Sequence, residues 1–140
     1  MERLKACYAA YIAAAERAEE NSSKWNGAFG IGESTKYHPC HDSFYKVMEK
    51  WSKAFVEQNP TREQAEEAIR FIFETTEEYC DTIVYWYMFA AHGFTRPLIP
   101  LVSREFAAEM LAFYNTHYPR HYRMPVQQEV FKLLKKQGKA

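Results

Sequence analysis

The stretch Phe44-Tyr45-Lys46-Val47-Met48-Glu49-Lys50-Trp51-Ser52-Lys53-Ala54-Phe55 has the plainest periodicity in the chain. Phe44, Val47, Met48, Trp51, Ala54 and Phe55 recur three and four apart, with lysine and glutamate between them. That spacing gathers the apolar side chains on one stripe of an α-helix and the charges on the other. A half-buried strand alternates at period two, and no segment of this sequence does so.

Upstream, Leu4, Cys7, Tyr8, Tyr11, Ile12 and Ala15 show the same spacing and predict a helix over residues 2–20, ended by Asn21-Ser22-Ser23. Residues 21–37, with Gly27, Gly30 and Gly32, read as one long loop. Downstream, Asn59-Pro60 stops the central helix. Thr61 with Gln64 forms a capping box for a third helix carrying Ala65, Ala68, Ile69, Ile72 and Phe73. A second such box, Thr75 with Glu78, predicts a break there, before a nearly all-apolar helix over 79–92 stopped by Gly93. Residues 94–102 read as extended and proline-bounded. Ser103 caps a helix with Phe106, Ala107, Met110, Leu111 and Tyr114 on one face. Pro125 opens a last helix, with Val126, Val130, Leu133 and Leu134 apolar and Gly138 as its stop. The expected architecture is all-α: one domain over residues 1–140, a bundle of five or six helices with one long glycine-containing loop.

The composition is globular. Eighteen basic residues balance eighteen acidic ones, and 47% of residues are apolar, which excludes a disordered chain and a whole-molecule polycation. Three widely spaced cysteines, Cys7, Cys40 and Cys80, form no C-x-x-C pair and read as reduced thiols of a cytoplasmic protein, with Cys7 and Cys80 on buried apolar faces. The alanine-rich start has helix spacing rather than the leucine-rich core of a signal peptide. The most apolar stretch, residues 83–102, is interrupted by His92, Gly93, Arg96, Pro97 and Pro100, so no membrane span of about 20 residues is expected.

Four features carry chemistry. His38-Pro39-Cys40-His41-Asp42 holds donors that suit a transition metal ion such as zinc. If Pro39 opens the second helix, His38 and His41 share a face and Cys40 points elsewhere; remaining ligands would come from Glu77, Glu78, Asp81, His92, Glu105, Glu109 or His117. The competing local reading makes Asp42 a helix cap and the histidines loop residues. The same segment contains the best nucleophile, Cys40, beside two imidazoles. No Gly-x-Ser-x-Gly elbow, phosphate loop or Glu-x-x-His pair occurs, so the balance is against an enzyme.

The third feature is charge separation. Residues 118–140 carry a net charge of +5 and the remainder −5. Tyr118, Arg120, Tyr122 and Arg123 mix aromatic and basic groups in a manner suited to single-stranded nucleic acid. However, a nucleic-acid domain is usually basic in total. The alternative is that the tail docks on the acidic stretch 57–81, whose net charge is −6. The fourth feature is Tyr85-Trp86-Tyr87-Met88-Phe89, followed by Arg96. A helix turns about 100° per residue, so these side chains cannot all face one core. Tyrosine and tryptophan suit contact surfaces, and ten Tyr outnumber six Leu. The expected function is binding of another macromolecule, first a protein or a second copy of the chain. Tyr85, Trp86, Tyr87, Arg96, Tyr118, Arg120, Tyr122 and Arg123 are the contact candidates. A metal-binding bundle on His38, His41 and Cys40 is the first alternative, and single-strand binding the second.

Overall fold

A computed structural model describes residues 1–29 and 38–139, with side chains described for 1–20 and 38–139. The described residues form six α-helices and no strand. These are α1 (Glu2–Phe29), α2 (Cys40–Glu57), α3 (Arg62–Glu78), α4 (Tyr85–Ala90), α5 (Arg104–His117) and α6 (Pro125–Lys139). Short 3-10 turns occupy Ala91–Thr95, Ile99–Leu101 and Arg120–Tyr122. The all-α bundle is as the periodicity requires.

α1 corrects the first expected boundary. It continues through Asn21-Ser22-Ser23 to Phe29, into the stretch expected as loop. Asn and Ser cost a helix only tenths of a kcal/mol each, and no proline occurs before Pro39 to forbid it. The rest of the expected loop, residues 30–37, lies outside the described residues.

α2 buries Phe44, Met48 and Trp51 on its stripe, with Cys40, His41 and Ser52 beside them. Val47 departs from the expected face and is 49% exposed. The helix ends at Glu57, and two residues on Asn59 takes a φ of 51°, the left-handed conformation that asparagine tolerates just past a helix terminus. The Thr61–Gln64 capping box then opens α3 with both of its hydrogen bonds in place.

The second box does not form. Thr75 and Thr76 lie inside α3 and are buried. The Thr76 hydroxyl donates to the Ile72 carbonyl at 2.8 Å, one turn back, so it is spent within the helix. The break comes after Glu78. The chain turns through 79–84, which leaves Cys80 exposed rather than on a buried helical face. α4 is therefore only six residues long.

Gly93 lies within a 3-10 turn instead of stopping a helix. A Cβ there would sit 2.8 Å from Val126 Cγ2 of α6, so the glycine permits close approach of that helix. Residues 94–102 are coiled rather than extended, with Leu98 N–H bonded to Thr95 O and Leu101 N–H to Leu98 O. This path buries Leu98, Ile99 and Val102. Ser103 caps α5 as expected, its hydroxyl accepting from Phe106 N–H at 3.0 Å. α6 runs through Gly138, against Ala108 of α5. One apolar cluster draws on all six helices, from Leu4, Tyr8 and Tyr11 through Ile69, Phe73 and Phe89 to Tyr114, Val130 and Leu134.

Candidate functional site

His38 stands just before α2, exposed, and its Nδ1 accepts the Cys40 backbone N–H at 3.1 Å. It supplies the cap that Pro39 has no side-chain group to make, while Asp42 lies in the first turn instead of capping. His41 points inward and is 3% exposed. Its ring stacks flat on Tyr87, centroids 3.7 Å apart and planes 1° apart. Its Nδ1 shares a 2.7 Å hydrogen bond with the Tyr11 hydroxyl. Tyr11 in turn stacks on Phe44, and the Tyr45 hydroxyl donates to the Tyr87 carbonyl. His41 thus knits α1, α2 and α4 together.

The proposed metal donors are not brought together. Among the described residues no group of three or more His, Cys, Asp or Glu converges on one point. His117 Nδ1 faces Glu77 at 2.9 Å and Glu109 pairs with Arg70 at 2.6 Å. The Cys40 thiol lies 3.9 Å from His41 Nδ1, but burial pushes its pKa up, against thiolate formation. Cys40 and Cys7 line an apolar groove of about 410 Å³ between α1 and α2, with Tyr11, Phe44 and Val47. Burial pushes the Cys7 thiol up to about 11.

The deepest polar cluster centres on His92, which the sequence offered only as a possible metal donor. His92 is fully buried. Its Nε2 lies 2.9 Å from Thr76 Oγ1 and its Nδ1 2.8 Å from the Tyr114 hydroxyl. Since Thr76 donates to Ile72, its oxygen accepts from His92 Nε2–H. Nδ1 then accepts from Tyr114. This assigns the neutral Nε2–H tautomer, which fits a pKa lowered by burial to about 3. Burial also raises the Tyr114 phenol well above its usual value. A lone histidine in an apolar run is the sequence signal for such a group, but its partners lie 16 and 22 residues away.

The aromatic run on α4 divides. Met88 and Phe89 are buried and Tyr85 is partly covered. Tyr87 is held on His41, whereas Trp86 stands 59% exposed, its ring edge-on to Tyr85 at 5.4 Å. Arg96 is engaged internally: Nε donates to Gly93 O at 3.0 Å and the guanidinium pairs with Glu129 at 2.6 Å.

The C-terminal contact candidates divide likewise. Tyr118 is 1% exposed and packs on Phe89 at 4.6 Å, so it presents no ring to a partner. Burial, and the Glu77 carboxylate beside its hydroxyl, oppose its ionisation. Arg123 donates to Tyr118 O and to Asn115, and lies 4.0 Å over the Phe131 ring. Arg120 is exposed and Tyr122 is 63% exposed. The stacking set expected for single strands is therefore split between core and surface. No described helix is long and apolar enough to cross a membrane.

The chain matches no protein-family model, no curated protein and no solved structure in the comparisons made.

Proposed function

We propose that the chain acts by binding a protein partner through an aromatic surface centred on Trp86. The observation that supports this is the exposure of Trp86, 59% outside while its neighbours in the same run are packed away. A large amphipathic ring held on a short helix, with Tyr85 against its edge, is the kind of rigid anchor that dominates protein interfaces. Tyr122 and Arg120 extend the candidate surface from the turn that follows Tyr118, itself packed on Phe89 of α4. Tyr85 and Tyr87 act as supports in this reading, and Arg96 holds α6.

The test uses the full chain as bait in parallel with Trp86→Ala, with retained proteins quantified by mass spectrometry. The expected result is a partner retained by the native chain and lost from Trp86→Ala, with stability unchanged within about 0.5 kcal/mol because the ring is largely in solvent. Identical recovery by both baits would overturn the reading. A large loss of stability would instead make Trp86 a packing residue.

A further inference from the structure

The charge separation in the sequence invited internal docking, with the basic tail resting on the acidic stretch. Among the described residues no lysine or arginine of the tail pairs with an acid of that stretch. Lys132, Lys135, Lys136 and Lys139 lie at i, i+3, i+4 and i+7 on α6, and all four are exposed. Among the described residues none of the four makes an ion pair. α3 presents the complementary stripe. Glu63, Glu67, Glu74 and Glu78 are four, seven and four residues apart, share one helix face and are all exposed. Glu63 and Glu74 have weak arginine contacts at 3.5 and 3.6 Å, while Glu67 and Glu78 form no ion pair among the described residues.

We infer that these two stripes are the two halves of a contact between copies of this chain, α6 of one copy lying on α3 of another. The lysine stripe covers about 10 Å and the glutamate stripe about 22 Å, at 1.5 Å per residue, so the first fits within the second. A second copy is the partner whose charge complementarity is visible in the fold. It is also one that the rest of the molecule does not repel, because the net charge is zero. A nucleic acid meets the opposite situation, since everything outside residues 118–140 carries −5. Exposed ion pairs are individually weak and screened, so the contact is salt-sensitive and concentration-dependent. This contact is independent of the Trp86 surface.

Sedimentation equilibrium of the full chain tests it. In about 20 mM salt the mean mass should rise above the 16.5 kDa monomer with concentration, and it should return to the monomer in about 0.5 M salt. Two charge-reversed proteins, Lys135→Glu with Lys136→Glu and Glu67→Lys with Glu78→Lys, should each associate at least about tenfold more weakly. Mixed in equal amounts they should associate again, since each then meets its complement on the other. Thermal melting checks that both fold, and Lys132→Glu with Lys139→Glu replaces the first if it does not. Trp86→Ala should associate like the native chain.

A native chain that stays monomeric in low salt would overturn the inference. So would association that neither salt nor charge reversal changes, which would move the contact to an uncharged face. Monomeric protein that binds an oligothymidylate probe salt-sensitively would overturn it in favour of nucleic acid.

Discussion

His92 couples the core to pH. Its folded-state pKa is lowered from 6.5 to about 3 by burial, so the folded protein keeps the imidazole neutral while the unfolded chain protonates it. The stabilisation is fully present above pH 6.5 and is lost as pH falls from there toward 3, because the unfolded state then binds the extra proton. The slope is about 1.4 kcal/mol per pH unit, or about 2 kcal/mol between pH 6.5 and 5. His92→Gln keeps a donor near Thr76 but does not titrate. It should be less stable at pH 7, since Tyr114 loses its acceptor, yet its stability should decline less steeply below pH 6.5. Urea unfolding of both proteins at pH 7, 6 and 5 measures the difference, and parallel curves would count against the neutral assignment. The sequence gives the residue but not this role, because Thr76 and Tyr114 reach His92 only through the tertiary fold. The misplacement of Cys80 has a similar origin: its apolar neighbours suggest a buried helical face, and the turn after Glu78 exposes it.

The helices themselves were more legible, and for local reasons. The Thr61 and Ser103 caps are decided within four residues, and the stripes on α2 and α3 by a repeat of three and four. Thr75–Glu78 had the same cap pattern and failed because α3 runs on through both residues, with Thr75 and Thr76 buried against the core, so Thr75 never takes the extended backbone of a cap. Residues 79–102 were least legible: their composition is apolar throughout, so periodicity cannot distinguish a long helix from successive short turns. What fixes that path is contact with α6. Gln127 Nε2 donates to Phe89 O at 2.6 Å, Gln137 Nε2 to Val102 O at 2.8 Å, and Val126 abuts Gly93. Gly93→Ala should therefore cost roughly 1–3 kcal/mol by overpacking, although alanine is the better helix former. Val126→Ala in the same chain should recover much of that loss. A double-mutant cycle in urea would show coupling of about 1 kcal/mol or more, whereas simple additivity would mean that Val126 does not set the need for glycine.

These α6 contacts bear on whether the molecule is one folding unit. α6 brings Val130 and Leu134 into the shared core and packs along α5. Two of its glutamines, Gln127 and Gln137, donate to the carbonyls of Phe89 near the end of α4 and of Val102 just before α5. Its arginine-paired Glu129 holds the same region from outside. A chain ended after Met124 would lack the Val130 and Leu134 side chains that α6 brings into the core and would uncover the face of α5 on which α6 packs. Fully burying one aliphatic side chain is worth roughly 1.5–3 kcal/mol, so losing a whole helix face removes a large share of the about 5–15 kcal/mol that stabilises a domain. The truncated chain should therefore show no cooperative transition by circular dichroism, whereas the full chain should unfold in one. Two transitions in the full chain, or a cooperative melt after truncation, would divide the bundle into separate units. In a single unit, the exposed Trp86 ring and the lysines of α6 are held by the same core, so their surfaces are presented only while that core is folded.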